Sequence, residues 1–318
     1  MTLGSPWPGW ARFAYVGRAL IGTTVGGKYR VVRLIGQGAM GSVYEAERVD
    51  GEGRVAMKVI HGDLAPSGDR LRRFHREARA ASAIDAEHIA QVLDHGTDAA
   101  TRAPYIVHEL LEGRDLQQLL DRYRILHPDT ALRIVAQACS GLQKAHEAGV
   151  LHRDVKPANL FLARQPGGAV VVKLVDFGIA KIKRDPGKGN ASTGLTRAGG
   201  ILGSPFYMSP EQARGLKSTD FRTDVWSLGV VLYRALAGAT PHASVDSFGE
   251  LLVALCTQPP LPLQEIAPWV PPEVAAVVGK ALQIHPGARF PTAGAMLAAI
   301  DALLPSGRAL REETLAPR

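Results

Sequence analysis

Near Gly113 the hydrophobic pattern of this chain changes period, and that change restricts the fold more than any other feature. Upstream, residues 29–60 are β-branched, alternating and broken by glycines, as half-buried strands require. Residues 29–35, 42–47 and 55–60 read as three strands of an antiparallel meander, with Gly51-Glu52-Gly53 turning between the second and third. A helix is expected over about residues 69–84, with Leu71, Phe74, Ala78, Ala81 and Ile84 on its apolar stripe. Residues 90–93 and 105–110 read as two more strands flanking a polar hairpin at 95–103. A mostly β lobe with one helix is therefore expected to Leu111. Beyond Gly113 the period is helical. Residues 128–148 carry Leu132, Val135, Ala136, Cys139, Leu142 and Ala145 on one stripe, stopped by Gly149. Residues 224–236, 248–255, 272–283 and 292–304 read as later helices.

At 318 residues, 46% hydrophobic and 21% charged, the chain is long enough for two lobes with a large core. Residues 1–28 read as a flexible extension, 305–318 as a loose polar tail, and 183–200, rich in Gly, Ser, Thr and charge, as a mobile surface loop. The net charge is +7. Its densest basic clusters, at 70–79 and 181–188, alternate with acids or glycines, which favours solvated faces over a nucleic-acid surface. Cys139 and Cys256 lie far apart in apolar segments and read as reduced core side chains, and no HExxH or Cys/His cluster suggests zinc. No apolar run is long enough to span a bilayer, and the first 22 residues lack a secretory layout, so a cytoplasmic protein is expected.

Three stretches carry chemistry. His152-Arg153-Asp154-Val155-Lys156-Pro157-Ala158-Asn159 is followed, after an apolar run, by Asp176-Phe177-Gly178. Two acids, an amide and an amine at this spacing suit a metal-chelated triphosphate beside a hydroxyl. Ile35-Gly36-Gln37-Gly38-Ala39-Met40-Gly41-Ser42-Val43 fits GxGxxGxV; its glycines let a hairpin backbone approach phosphate oxygens. A dinucleotide-binding reading fails, because these glycines lead from strand to strand rather than into a helix. In Val55-Ala56-Met57-Lys58, Ala56 and Lys58 share one strand face, so a small residue can touch a base while the ammonium reaches phosphates. Glu77, three after Phe74 and four before Ala81, sits on the flank of the apolar stripe, where an unpaired charge would be costly.

Taken together and in this order, these motifs resemble the protein kinases, and in particular the eukaryotic-type (Hanks-type) serine/threonine kinases of bacteria. The resemblance covers about residues 29–304. It implies an α+β, two-lobed kinase fold: residues 29–111 an antiparallel sheet plus one helix, residues 112–304 mainly α-helical. It implies ATP and Mg²⁺ as cofactors, with Asp154 as base, Lys156 neutralising the transferring phosphoryl, and Asn159 and Asp176 holding the metal. A Lys58–Glu77 ion pair would orient the phosphates; Ile35 to Val43, Ala56, Glu109 and Leu111 would line the nucleotide site. His152 is expected to pack beside Phe177. Gly203 to Glu211 resembles the segment that closes the activation loop and receives the substrate, with Ser204 contacting it. Asp224 opens a helix that resembles the one bracing the catalytic loop, and Arg289 is the family's partner for Glu211. Lys two residues after the Asp resembles serine/threonine rather than tyrosine kinases.

Ala39 replaces a glycine seen in bacterial relatives, and Ser204 stands where Thr is more frequent, its hydroxyl retained. His108 falls at the gatekeeper position, where relatives often carry Met. Two readings stay open for it: a tolerated polar side chain with a local hydrogen bond, or a group whose protonation alters nucleotide affinity. Arg153 beside Asp154 implies switching by phosphorylation, with Ser192, Thr193 and Thr196 as acceptors. Autophosphorylation in trans would need a transient homodimer. The rival readings are a nucleotide-binding pseudokinase, disfavoured because no working residue is lost, and a lipid or small-molecule kinase, disfavoured by the intact peptide-binding segment.

Overall fold

The structure is a computed structural model and describes residues 20–38, 41–61, 68–177, 204–216 and 219–316. The chain divides into two compact units, one running up to Ala83 and including Gln91–Leu111, the other formed by Ile84–Ala90 and the chain from Glu112.

In the first unit an antiparallel sheet is built from β1 (Thr24–Val25), β2 (Tyr29–Gln37), β3 (Gly41–Arg48), β4 (Arg54–Ile60), β5 (Val92–Thr97) and β6 (Pro104–Glu109), in the order β1-β2-β3-β4-β6-β5. The two ends of this order meet. Asp94 on β5 accepts hydrogen bonds from Lys28 Nζ (3.0 Å) and Tyr29 Oη (2.8 Å), and Asp98 Oδ1 accepts one from Gly26 N–H (3.0 Å). The curled sheet wraps Val25, Val31, Tyr44, Met57, Tyr105 and Val107, with Tyr29 edge-on to Tyr105. The helix α1 (Asp69–Ser82) buries Phe74, Ala78 and Ala81, the expected stripe, and lies against β5.

Residues 20–28 correct the expectation of a loose extension. A turn through Gly26 and Gly27, at φ 61° and 69°, folds β1 onto β2, and Val25 is buried in the core. Gly26 also has no room for a side chain, since a Cβ there would lie 2.2 Å from the Tyr105 hydroxyl oxygen. The expected strand at 90–93 is displaced: β5 begins at Val92, and Ala90 N–H instead donates to Leu174 O (2.9 Å) in the second unit.

The second unit is mainly helical. It contains α2 (Leu116–Tyr123), α3 (Pro128–Glu147), the one-turn α4 (Pro210–Ala213), α5 (Arg222–Ala237), α6 (Phe248–Thr257), the one-turn α7 (Leu263–Ile266), α8 (Pro272–Ala281) and α9 (Ala293–Asp301). Helix α3 starts where the sequence signals it, with Pro128 in its first turn and His127 Nδ1 accepting from Asp129 N–H, and Gly149 at φ 74° ends it. Helix α5 is buried on nearly every face and packs against α3, α8 and α9. Helix α2 adds to the helices expected from the pattern: Leu116, Leu119 and Leu120 are buried at helical spacing behind Asp115, which caps Gln118 N–H. A four-stranded antiparallel sheet, ordered β10-β9-β8-β7, is a further addition: β7 (Gly113–Asp115), β8 (Leu160–Arg164), β9 (Ala169–Leu174) and β10 (Leu310–Arg311).

The strand β10 corrects the expectation of a loose tail at 305–318. It pairs with β9 and buries Leu310, and Leu315 is buried beyond it. The backbone carbonyls of Arg308, Ala309 and Thr314 accept from Gln137, Arg133 and Thr130 on α3. Polar composition hid this segment because most of its bonds use main-chain atoms.

Candidate active site

In the second unit the candidate catalytic residues hang on one buried carboxylate. Asp224, in the first turn of α5, is fully buried. Its Oδ2 accepts from His152 N–H (2.9 Å) and its Oδ1 from Arg153 N–H (2.8 Å). His146 Nε2 on α3 also lies 2.9 Å from Oδ2. These bonds fix the loop just before Asp154. Arg153 adopts φ 61°, a left-handed conformation that an L side chain takes only under constraint.

His152 is fully buried and stacks on Phe177, ring centroids 4.6 Å apart. Its Nε2–H donates to Val175 O (3.0 Å) while Nδ1 accepts from Asp154 N–H (3.3 Å), which sets the neutral tautomer. Burial pushes this imidazole below its usual range, against the pull of Asp224 and Asp154. Both its partners are structural, as its expected role requires.

Asp154 is then dressed by its own loop. Its Oδ2 accepts from Lys156 Nζ (3.0 Å) and from Asn159 Nδ2 (3.2 Å), and its backbone O accepts from the same Asn159 Nδ2 (2.8 Å). Pro157–Asn159 forms a 3₁₀ turn that brings the amide back to the acid. Asn159 O accepts from Val175 N–H (3.0 Å), so the loop that presents Asp176, at φ 57°, is anchored to the first loop. With its nitrogen taken, Asn159 offers Oδ1 to a cation.

Glu211 on α4 and Arg289 form a buried bidentate pair at 2.8 and 2.9 Å. Burial alone would raise the Glu211 carboxyl, but the Arg289 guanidinium outweighs it and holds the group below its ordinary value. Ser204–Tyr207 is a 3₁₀ turn whose Tyr207 carbonyl accepts from Ser227 Oγ (2.7 Å) on α5, so Ser204 opens a turn tied to the same helix.

In the first unit β2 and β3 pair through Gly36 opposite Val43 and Gln37 opposite Ser42, and Gly38 N–H donates to Gly41 O (2.9 Å). The three glycines differ. A Cβ on Gly41 would lie 2.4 Å from Val59 O, so the sheet itself excludes one there. Among the described residues, a Cβ on Gly36 or Gly38 would meet nothing nearer than 3.7 Å, and neither needs positive φ. Lys58 is half-buried in the middle of β4, opposite Val43 and Ile106, and Ala56 stands opposite His108. Glu77 is half-buried on α1, and Ile35 is partly exposed. Glu109 closes β6, exchanging bonds with Gln91, and half-buried Leu111 follows it. Ala39, Met40, Gly178, Ser192, Thr193 and Thr196 lie outside the described residues.

Residues 29–297 match the protein kinase domain family. The chain belongs to the protein kinase family. It is 38% identical to the serine/threonine-protein kinase pkn3 of Myxococcus xanthus over 89% of this chain and 51% of that protein. It is 35% identical to PrkC of Bacillus subtilis over 91% and 42%, and 37% identical to PknB of Mycobacterium leprae over 85% and 42%. The chain thus spans about half the length of these relatives. Among solved structures, the Mycobacterium tuberculosis PknI kinase domain superposes with a TM-score of 0.68 at 29% identity, covering 88% of this chain and 98% of that one. The mixed fold, with an antiparallel sheet in one unit and helices dominating the other, is the kinase fold. Among the described residues no helix is long and apolar enough to cross a membrane.

Proposed function

We propose that this domain transfers the γ-phosphoryl group of ATP to Ser or Thr hydroxyls of protein substrates. The observation that carries the reading is the Asp154 carboxylate, held by Lys156 and Asn159 on a loop whose preceding peptides are bound to buried Asp224. Asp154 orients the attacking hydroxyl and takes its proton. Lys156, at 3.0 Å from that carboxylate, places an ammonium beside the same point and offsets the charge of the transferring group.

The residues present suit a hard cation. Asn159 Oδ1 and the Asp176 carboxylate are oxygen donors, and among the described residues no three His, Cys, Asp or Glu gather into a protein cage. Mg²⁺ is characteristically held by one or two carboxylates plus substrate phosphates. When bound it neutralises phosphate charge. Among the described residues, neither backbone angle nor packing requires glycine at 36 or 38, which supports the close approach of phosphate oxygens to this turn. Lys58 orients those phosphates and Glu77 orients Lys58. Autophosphorylation at Thr196, with Thr193 and Ser192 as further acceptors, would act through Arg153 and proceed in trans in a transient homodimer; a cytoplasmic setting suits it.

The test is incubation with labelled ATP, Mg²⁺ and a Ser/Thr peptide, beside Asp154→Asn. Wild-type transfer lost by at least a hundredfold in the variant is expected. Nucleotide binding without transfer in the wild type would favour a pseudokinase and sink the proposal.

A further inference from the structure

Arg153, just before Asp154, is held through both of its backbone polar groups. Asp224 Oδ1 accepts from the Arg153 N–H, and Gln212 Nε2 donates to the Arg153 carbonyl at 3.0 Å. Gln212 is itself fixed. Its Oε1 accepts from Ser209 N–H (3.0 Å), its own N–H donates to Ser209 Oγ (3.3 Å), and Ser209 Oγ lies 2.6 Å from Thr223 Oγ1, next in sequence to Asp224. The bonds close a ring: Arg153, Gln212, Ser209, Thr223–Asp224 and back to Arg153. The partners also assign the amide, since Nε2 faces a carbonyl and Oε1 faces an N–H, so a flipped side chain would satisfy neither. At φ 61° the Arg153 backbone stays in place only while its surroundings hold it.

We propose that Gln212 is a positioning residue for phosphoryl transfer, coupling α4 and its Ser209 cap to the aim of Asp154 through the Arg153 carbonyl. The proposal rests on the kinase reading above. Glu211 and Gln212 then divide the work of α4. Glu211 turns towards Arg289 and anchors the helix, while Gln212 turns towards the catalytic loop. Order in the substrate-receiving segment thereby reaches Asp154 without any phosphate on the chain. A small displacement of a reacting group is enough to cost one to two orders of magnitude in rate.

Gln212→Glu separates the bond from the fold. The new side chain keeps the acceptor for Ser209 N–H but sets an oxygen 3.0 Å from the Arg153 carbonyl oxygen. At pH 7.5 we expect kcat for peptide phosphorylation to fall at least tenfold, with the KM for ATP within twofold of wild type and the unfolding temperature unchanged. Towards pH 5.5 the new carboxyl, beside a carbonyl and half-buried, gains a proton and becomes a donor again. The deficit relative to wild type should then shrink at least threefold, whereas Gln212→Met should show the same deficit throughout. A wild-type kcat in Gln212→Glu, or a deficit that ignores pH, overturns the proposal. Hydrogen exchange gives a second readout that needs no activity: peptides covering residues 152–156 should exchange faster in Gln212→Glu, and unchanged exchange also overturns it. Wild-type protein that transfers no phosphate would instead sink the kinase reading, leaving the exchange result to decide the coupling.

Discussion

Replacing Arg289 by methionine should destabilise the second unit by about 3–5 kcal/mol, the cost of leaving a buried charge without its partner. The guanidinium is fully buried and uses all five N–H groups. Two go to Glu211; three go to the carbonyls of Gln283 (2.7 Å), Arg222 (3.0 Å) and Ile284 (3.0 Å). Its Cζ also lies over the Trp226 ring, 4.9 Å from the ring centre. Methionine fills much of the volume but satisfies none of these acceptors. Urea unfolding followed by circular dichroism, with Trp226 fluorescence as a local reporter, measures the loss. At roughly 2–4 °C per kcal/mol for a unit of this size, the melting temperature should fall by about 6–20 °C. The double variant Glu211→Leu/Arg289→Met should cost less than the single one, because no orphan carboxylate remains. The pH dependence carries a sign. In the wild type the Glu211 pKa is lowered, so its contribution is present above the unfolded value and lost as pH falls through the folded one. Without Arg289 burial is the largest remaining influence and raises that pKa, so the variant loses stability as pH rises instead. The gap between variant and wild type should therefore narrow on acidification towards pH 4. A loss below about 1 kcal/mol, or a double variant worse than the single, would refute the reasoning.

Three further substitutions test other parts of the structure. Gly41→Ala should destabilise the first unit by about 1–3 kcal/mol, since its Cβ would sit 2.4 Å from Val59 O, whereas Gly38→Ala should leave thermal unfolding unchanged and raise the KM for ATP severalfold. Equal melting temperatures for the two variants would contradict this. Leu310→Ala should lower stability by about 2–5 kcal/mol, because Leu310 is buried on a strand paired with β9; a neutral result in denaturant titration would return the tail to the status of a loose end.

Much of this protein is written in local pattern. The alternation through β2, β3 and β4, the stripe on α1 and the Pro128 and Gly149 signals around α3 depend on neighbours in the chain, so periodicity and capping residues reveal them. The candidate site was legible for a related reason. Asp154, Lys156 and Asn159 lie within six positions, and one short turn brings their side chains together. Helix α2 was legible too, through its leucine spacing and Asp115, but its shortness lets it pass for a linker. The β8–β9 hairpin hid because a run of Leu, Phe and Val reads equally well as a buried helix segment or a strand.

What only the tertiary structure decided concerns partners far apart along the chain. The meeting of Asp94 with Lys28 and Tyr29, the docking of residues 308–315 on α3, and the grip of Gln212 on Arg153 are of this kind. Sequence fixes which side chains carry a charge or an amide. In most of these contacts, however, the other partner is a backbone N–H or C=O, which every residue but proline supplies alike. Residue identity cannot mark which carbonyl will receive the bond; only the fold, by bringing that backbone within about 3 Å, selects it.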